Sequence, residues 1–460
     1  MSLKNSSINN LVNWLKKGHE YTRSYEKGAF ISPKIETRDD EFSGRGIYAT
    51  KPISSNELLI HIPHSFLLNV RTVLFHIEQY GKSLNLSVKV YKPVETKDFP
   101  TDAFTNIYEQ LTNEELLKLN SFQIVSLFLC FEKLRQKESF WHPFIDSLPV
   151  LEAFHLVPMV WCATQEHRIP TILNSLPSST AQHTEKIYHN FSRDYNVVRE
   201  LVHEKMKETN PNHDELEALV ASRILPKKLF LWAWMCINSR CLFMDIPGKE
   251  SREDKWTMAP YVDLVNHSSD DHCLIKIDAT GFSFLSMRKY CADEQIFLCY
   301  GPYSNEFLLC EYGFMLPNNK WNDLDITHYI LPMLSKEQKH YLQATGYFGD
   351  YTLNKPQGIS FRTEVALAML QEPHPGKSKR VSAYIQGLYD GSAYEAKNRQ
   401  LVISLLTDVL RKTEEQIEKA YFTRDKEDAL QKILKQSIII VYTDKKTLVS
   451  DVLQDYGKFS

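Results

Sequence analysis

Hydrophobic and polar positions follow two spacings, which alternate along the chain. Within residues 1–25 the apolar positions share one face of a helix, whereas from 26 to 104 they fall in short segments separated by turn residues, as in strands. From 105 to 238 they recur every three or four positions, as in packed helices. Strand-like segments return from 239 to 320, and helical spacing resumes from 321 to 460. We therefore predict an α+β fold: a β-rich domain with a helical insertion, followed by an all-α domain.

Local signals mark where some of these helices begin. Thr112 with Glu115 and Ser335 with Gln338 have the sequence pattern of a capping box, in which two side chains satisfy backbone N–H groups at a helix start. Pro226 stands just before an apolar helical segment, where its fixed φ suits the first turn. Helix starts are therefore predicted in both the insertion and the C-terminal domain.

Two apolar segments of the second β-rich block end in polar residues. One runs through Asp263 and Val265 into Asn266 and His267, and the other ends in Tyr300. We predict that both segments are strands whose ends deliver polar side chains to one place. Rigid elements of this kind are suited to carry a binding site.

A glycine-rich stretch, Ser43-Gly44-Arg45-Gly46, separates two predicted strands. A hairpin turn that needs a positive φ would favour glycine here, and so would a loop whose backbone approaches a ligand closely. Both interpretations remain open at this point.

The composition excludes several classes of protein. Hydrophobic residues make up 43% of the 460 positions, the balance of a folded globular protein. Lys and Arg total 54 against 57 Asp and Glu, so no global basic field favours nucleic acid. The apolar runs are too short to span a membrane. The eight cysteines form no C-x-x-C pair, and the first residues lack a secretory pattern, so we expect reduced thiols and a location in the cytoplasm or also the nucleus.

Metal, phosphate-loop and serine-nucleophile chemistry find no support in the motifs. His267, His272 and Cys273 could suggest zinc, but their spacing matches no closed zinc site, so no metal is expected. The chain has no G-x-x-x-x-G-K-[ST] phosphate loop and no G-x-S-x-G nucleophile elbow.

Several short motifs stand in a fixed order along nearly the whole chain. They are Gly44–Ile53, Phe140–Pro149, Ser239–Arg240, Asp263–His267, Tyr300–Asn305 and Glu311–Phe314. This ordered set resembles that of the SET-domain protein methyltransferases, and within that family it is most similar to the subfamily of the Rubisco large-subunit methyltransferase, which includes ribosomal-protein and elongation-factor lysine methyltransferases. The resemblance implies a SET β-fold with knot-like threading and a helical C-terminal substrate-binding domain.

The resemblance implies a binding site for S-adenosylmethionine. Ser43, Gly44, Arg45 and Gly46 would lie against the cofactor, and the missing side chain at Gly44 would permit close approach. Arg240 would face the carboxylate of the cofactor, since a guanidinium binds that group in a fork.

Further cofactor contacts are implied for the second block. Asn266 and His267 would hydrogen-bond to the amino-acid or adenine end, with Asp263 nearby and Tyr300 and Phe314 as additional cofactor-binding residues.

Two tyrosines match the catalytic positions of the family. Tyr300 would orient the target amine, and Tyr312 would line the channel that receives the lysine. Alignment of the amine with the methyl group is then the main contribution of the enzyme. Without the resemblance, each tyrosine would be interpreted as a buried core residue and Arg240 as a cation that complements a helix C-terminus. Asn266 and His267 could then simply form a turn.

The expected function is S-adenosylmethionine-dependent N-methylation of lysine in a non-histone protein, with a ribosomal protein or an elongation factor as the first choice and histones second. We expect a monomer whose partner is the protein substrate, without nucleic acid or membrane. A protein-histidine N-methyltransferase of the same architecture is one alternative, although its counterpart of the stretch around Tyr312 lacks the tyrosine. The other is a catalytically silent SET-fold interaction module.

Overall fold

A computed structural model describes residues 3–17, 28–40, 43–78, 100–207, 212–245, 255–270, 273–355, 358–422 and 429–457. The helices within these ranges are α1 Leu3–Lys16, α2 Val70–Glu78, α3 Ala103–Gln110, α4 Asn113–Lys118, α5 Ser121–Arg135, α6 His142–Ile145, α7 Pro158–Thr164, α8 Ile169–Ser175, α9 Ser178–Met206, α10 His213–Leu219, α11 Lys227–Arg240, α12 Asn305–Tyr312, α13 Thr327–Ile330, α14 Lys336–Ala344, α15 Phe361–Met369, α16 Lys379–Ile385, α17 Ser392–Phe422 and α18 Ala429–Gly457. Among these helices, none has the length and apolar character needed to cross a membrane.

The strands of the same ranges are short. They are β1 Phe30–Ile31, β2 Ile35–Asp40, β3 Gly44–Ala49, β4 Leu58–Pro63, β5 Leu68–Asn69, β6 Cys241–Phe243, β7 Trp256–Met258, β8 Asn266–His267, β9 Leu274–Asp278, β10 Gly281–Leu285, β11 Gln295–Leu298, β12 Asp323–Asp325, β13 Thr352–Asn354 and β14 Gly358–Ile359.

The chain forms two compact units. The first comprises residues 1–155, 159–166 and 186–301, and the second comprises 156–158, 167–185 and 302–460. The strands from β1 to β11 therefore belong to the first unit, and β12 to β14 belong to the second.

Three sheets make up the β structure of the first unit. Their strand orders are β1-β4-β10-β9, β2-β3-β11-β8 and β5-β7-β6. Strands β2, β3 and β11 pair antiparallel, whereas β8 pairs parallel to β11. Strands β1 to β5 come from the first β-rich block and β6 to β11 from the second, so blocks far apart in sequence share these sheets, as the pattern predicted.

The predicted helical insertion is present between these blocks. The capping box at Thr112 and Glu115 is confirmed, with the threonine accepting from the Glu115 backbone N–H at 3.2 Å. Helix α5 buries Ile124, Leu127, Phe128 and Phe131 of the apolar face predicted from the spacing but leaves Leu134 exposed, and α11 begins directly after Pro226. Trp141 and Phe144, in the interruption that follows α5, are also buried. The helices of the insertion thus pack around a core of large apolar side chains.

The second unit is mostly helical, as expected, and the capping box at Ser335 and Gln338 is confirmed. It also contains the antiparallel sheet β12-β13-β14, so the expectation of an all-α domain was too strict. Strands of two or three residues are too short to show a period of two in the sequence. Leu324 and Leu353 from this sheet enter the same buried core as Val365 and Leu406 of the helices.

Candidate active site

One sheet brings together most of the predicted site. Strand β3 pairs with β11, with Ile47 opposite Ile296, and β11 pairs with β8, with Phe297 opposite Asn266 and Leu298 opposite His267. The glycine-rich stretch at the start of β3, the Asn-His pair of β8 and Tyr300 just beyond β11 are therefore positioned by a single strand register. This is the convergence of strand ends that the sequence predicted.

The segment before β8 differs from the prediction. Residues 262–264 form a 3₁₀ turn rather than a strand, and Tyr261 precedes it with φ 71° and ψ −37°. A positive φ is unusual for a bulky residue and costs about 1–3 kcal/mol unless the surroundings hold it. Val262 and Leu264 are both buried, and the apolar character that suggested a strand reflects this packing. The turn directs Asp263 inward and leads the chain into β8.

Tyr300 is anchored at both its backbone and its side chain. Its hydroxyl donates to the Val265 carbonyl at 2.6 Å, and its backbone N–H donates to Nδ1 of His267 at 3.0 Å. The Tyr300 and His267 rings lie 4.9 Å apart and are inclined by 32°. Burial raises the pKa of the phenol to about 12, so the hydroxyl stays protonated at neutral pH. The phenol therefore faces the Asn-His strand as a fixed, neutral group.

His267 is buried and accepts a hydrogen bond from the Tyr300 backbone N–H. Nδ1 also lies 3.3 Å from the Leu298 carbonyl, but one nitrogen cannot accept from an N–H and donate to a carbonyl at once. The 3.0 Å contact from the Tyr300 backbone N–H is shorter, and that donor is obligatory, so we assign Nδ1 as the acceptor. Burial lowers the pKa of the imidazole, which is therefore neutral at pH 7.

A side-chain network links Asn266 to the glycine-rich stretch. The Asn266 amide donates to the Ser43 carbonyl at 3.2 Å and to the Gln295 side-chain oxygen at 3.0 Å. The Gln295 amide in turn donates to Oγ of Ser43 at 3.0 Å and to the Tyr48 hydroxyl. Sequence reasoning missed Gln295 and Tyr48. The available signal was that Gln295 is the polar first residue of an otherwise apolar segment.

The two glycines of β3 are required for different reasons. Gly44 has φ 68°, the left-handed region, and a Cβ added there would meet open space. A Cβ added to Gly46 would lie 2.9 Å from both the Asn266 amide nitrogen and the Gln295 side-chain oxygen. Gly44 therefore serves the β2–β3 hairpin, while Gly46 leaves space for the amide network.

Arg45 lies between the two glycines. Its Nε is 3.5 Å from the Asp39 carboxylate on the neighbouring strand β2. Its side chain is thus paired with the neighbouring strand, and its contact with a cofactor stays a prediction.

Arg240, the last residue of α11, is paired with Asp263. One guanidinium nitrogen lies 2.8 Å from the Asp263 carbonyl and 3.2 Å from its carboxylate. Burial raises the pKa of that carboxyl, and Arg240 opposes the shift. The Nε–H of Arg240 is buried and meets no acceptor among the residues that the structure describes. A buried donor of this kind is suited to an anionic ligand group.

Tyr312 and Phe314 belong to the second unit, whereas all the other predicted site residues belong to the first. Tyr312 is the last residue of α12, which ends at Gly313 with φ 79°. The Tyr312 ring lies 6.4 Å from that of Tyr303 and 6.0 Å from that of Phe314. Tyr312 is thus part of an aromatic group in its own unit.

A metal site receives no support within the described ranges, which contain no group of three His, Cys, Asp or Glu side chains able to hold an ion. Of the residues considered for zinc, His272 lies outside those ranges.

Comparison with known protein families identifies the fold. The SET domain model matches residues 44–301, which is more than half of the chain. The chain therefore belongs to the SET-domain family, and the fold and family predicted from the sequence are confirmed. A second model, the C-terminal domain of ribosomal lysine N-methyltransferase 2, matches residues 322–455.

Individual relatives are similar along most of their length. The chain is 29% identical to ribosomal lysine N-methyltransferase 2 of Saccharomyces cerevisiae, over 97% of this chain and 98% of the relative. It is 27% identical to ribosomal lysine N-methyltransferase set11 of Schizosaccharomyces pombe, over 88% and 87% of the two chains. A crystal structure of the SET domain of LSMT bound to lysine and AdoHcy matches with a TM-score of 0.58 at 16% identity, over 100% of this chain and 92% of that one.

Proposed function

We propose that this protein is an S-adenosylmethionine-dependent lysine N-methyltransferase that acts on a non-histone protein, namely a ribosomal protein. The observation that carries the proposal is the anchoring of Tyr300. Its neutral phenol is held by the Val265 carbonyl beside His267, within a SET domain. The two relatives named as ribosomal lysine N-methyltransferases, which span nearly the whole chain, support this choice of substrate.

The residues of the first unit fit the proposed cofactor. When bound, S-adenosylmethionine supplies a methyl group on a positively charged sulfur. The buried Nε–H of Arg240 offers a donor for its carboxylate, and Asn266 is placed to bind its polar groups. The absence of a side chain at Gly44, next to open space, keeps the start of β3 open to close approach, while the missing side chain at Gly46 leaves room for the Asn266 amide.

The chain's own chemistry is mainly positioning. Because the pKa of Tyr300 is about 12, its phenol is not ionised at neutral pH and does not act as a base there. It acts as a fixed dipole beside the amine. The target lysine, with an ordinary pKa near 10.4, has to lose its proton before it can react. Desolvation of the amine favours the neutral form.

The test is methylation of candidate proteins by the purified full-length chain. Ribosomal subunits, isolated elongation factor and core histones would each be incubated with isotopically labelled S-adenosylmethionine, and modified peptides would be sequenced by mass spectrometry. We expect label on the ε-amine of a lysine in one ribosomal protein, and none with Tyr300→Phe. Label on an imidazole nitrogen would replace lysine by histidine as the target. Calorimetry that showed no cofactor binding would overturn the enzyme and leave the interaction module.

A further inference from the structure

One face of the sheet β2-β3-β11-β8 in the first unit carries polar side chains that meet each other. Gln295 of β11 stands directly opposite Tyr48 of β3, and Phe297, two residues further along β11, stands opposite Asn266 of β8. Paired residues project to the same face of a sheet, as do residues two apart on one strand. Gln295, Tyr48 and Asn266 therefore share one face, whereas Ile296 points to the other face and is fully buried.

The Gln295 side chain connects three partners on this face. Its oxygen lies 3.0 Å from the Asn266 amide nitrogen. Its own amide nitrogen lies 3.0 Å from Oγ of Ser43 and also contacts the Tyr48 hydroxyl. A primary amide has two N–H donors, and both are used here. Gln295 therefore has no donor left for a ligand, and its partners are the route by which it can influence one.

Ser43 determines which way round the two amides point. Its backbone N–H and its hydroxyl both donate to the Asp40 carboxylate, at 2.8 and 3.0 Å. Because the hydroxyl hydrogen is directed to Asp40, Oγ accepts from Gln295, whose nitrogen must face it. The Ser43 carbonyl can only accept, so the nitrogen of Asn266 must face it, at 3.2 Å. Turning either amide by 180° would bring two donors or two acceptors together.

The network is anchored on β3 and beyond it. It packs against Gly46, where an added Cβ would lie 2.9 Å from the Asn266 nitrogen and from the Gln295 oxygen. The Arg38 guanidinium lies 5.4 Å from the centre of the Tyr48 ring and donates to Asp293 at 2.8 Å. The partners of Gln295 are thus themselves held in place by the sheet.

We propose that Gln295 is a positioning residue for S-adenosylmethionine: it fixes the Asn266 amide in the orientation in which the cofactor meets it, and so raises the affinity for the cofactor. The inference rests on the proposed function, in which Asn266 binds polar groups of the cofactor. Both N–H groups of Asn266 are used within the chain, and its side-chain oxygen has no partner among the residues that the structure describes. A side chain that is already fixed loses less conformational freedom when a ligand binds.

Gln295→Met tests the proposal, because methionine has a similar length but no amide. One N–H of Asn266 then has no acceptor, and the Asn266 amide is less firmly held. We expect the affinity for S-adenosylmethionine, measured by calorimetry, to fall about fivefold. Gln110→Met is the matched control, since Gln110 is an exposed residue at the end of α3. It should bind the cofactor as the wild type does.

A double-mutant cycle with Asn266→Ala separates positioning from a general loosening of the sheet. If Gln295 acts through Asn266, Gln295→Met should weaken binding in the wild type and have almost no further effect in the Asn266→Ala protein. A loss of stability alone would lower the affinity equally in both. Equal losses would therefore overturn the inference, as would unchanged affinity in Gln295→Met.

Tyr48→Phe is the milder variant and decides if Gln295→Met does not fold. It removes one acceptor of Gln295 but keeps the ring beside Arg38, so we expect about a twofold loss of affinity, again absent in the Asn266→Ala protein. If the wild type binds S-adenosylmethionine and none of these variants differs from it, the inference alone is wrong. If the wild type binds no S-adenosylmethionine, the proposed function is wrong and the inference falls with it.

Discussion

The residues Ser43, Asn266, His267 and Tyr300 form a corner built by strands in the first unit. This corner and helix α12 of the second unit are held by different kinds of contact. In the corner, backbone carbonyls accept two of the side-chain hydrogen bonds: Asn266 donates to the Ser43 carbonyl, and the Tyr300 hydroxyl donates to the Val265 carbonyl. Around α12 the corresponding contacts join side chains, as in Glu306 with Lys445 and Asn305 with Asp444.

This difference determines how each region can be altered. A carbonyl is present whatever side chain its residue carries, so the acceptors of the corner persist as long as the strands keep their register. A contact between side chains is lost when either residue changes. We therefore expect the two contacts to carbonyls in the corner to be sensitive at their donors only, and the side-chain contacts of α12 to be sensitive at both partners.

Tyr300→Phe removes the hydroxyl that donates to the Val265 carbonyl and should have the largest effect. We expect turnover to fall by about a hundredfold or more, since the dipole beside the amine is lost, while cofactor affinity changes little. Single-turnover kinetics and calorimetry with S-adenosylmethionine measure the two effects separately.

Tyr290→Phe is the matched control, because Tyr290 is another buried tyrosine of the first unit and its hydroxyl lies 3.4 Å from Sγ of Cys273. It should retain turnover. Full activity in Tyr300→Phe would show that the Val265 contact is structural only.

Asn266→Ala removes the donor to Ser43 and should weaken cofactor binding about tenfold, or about 1.4 kcal/mol, with a smaller change in turnover. Gly46→Ala should act in the same direction and less strongly, because its Cβ displaces the same amide. Calorimetry measures both. Gly376→Ala provides the control, since an added Cβ there meets open space. Equal affinity in all three variants would remove Asn266 from the cofactor site.

Acidification should lower the free energy of unfolding through His267, and this is the smallest of the expected effects. Burial lowers the pKa of His267 below its ordinary 6.5, so the unfolded chain binds more protons as the pH falls below 6.5. Stability is then lost progressively from about pH 6.5 down to the folded pKa, by at most about 1.4 kcal/mol per pH unit. Protonation of Nδ1 also removes the acceptor of the Tyr300 N–H.

Urea denaturation between pH 5 and pH 8 tests this dependence. The free energy of unfolding of His267→Gln should fall less steeply below pH 6.5 than that of the wild type. His155→Gln alters an exposed histidine and should keep the wild-type slope. Identical slopes in all three proteins would mean that His267 is not the titrating group.

The sequence predicted the larger elements because their signals are periodic and long. Helices α5 and α11 and the capping boxes at Thr112 and Ser335 follow directly from spacing and side-chain type. Short strands were not predicted, because β12 to β14 contain too few residues to show an alternation of apolar and polar positions. The turn after Tyr261 was not predicted for another reason: a run of apolar residues in the sequence fits a buried strand and a buried 3₁₀ turn equally well.

Candidate site residues were predicted where they belong to a recognisable sequence motif. They were missed where only contacts between distant parts of the chain bring them to the site. Asn266, His267 and Tyr300 stand in motifs, and the structure brings them together. Their roles, and those of Arg240 and Tyr312, remain predictions. Gln295, Tyr48 and the contact between Glu306 and Lys445 depend on which strands and helices become neighbours, which no local pattern records.

The parallel pairing of β8 with β11 also limits how chains of this type can change in length. The register places Leu298 opposite His267, two residues before Tyr300. Deleting one residue from either strand would shift the strand by one position relative to its partner and turn the following side chains to the opposite face of the sheet. Insertions and deletions that preserve the site should therefore occur outside these strands, and an alignment gap within them would signal a chain that has lost this arrangement.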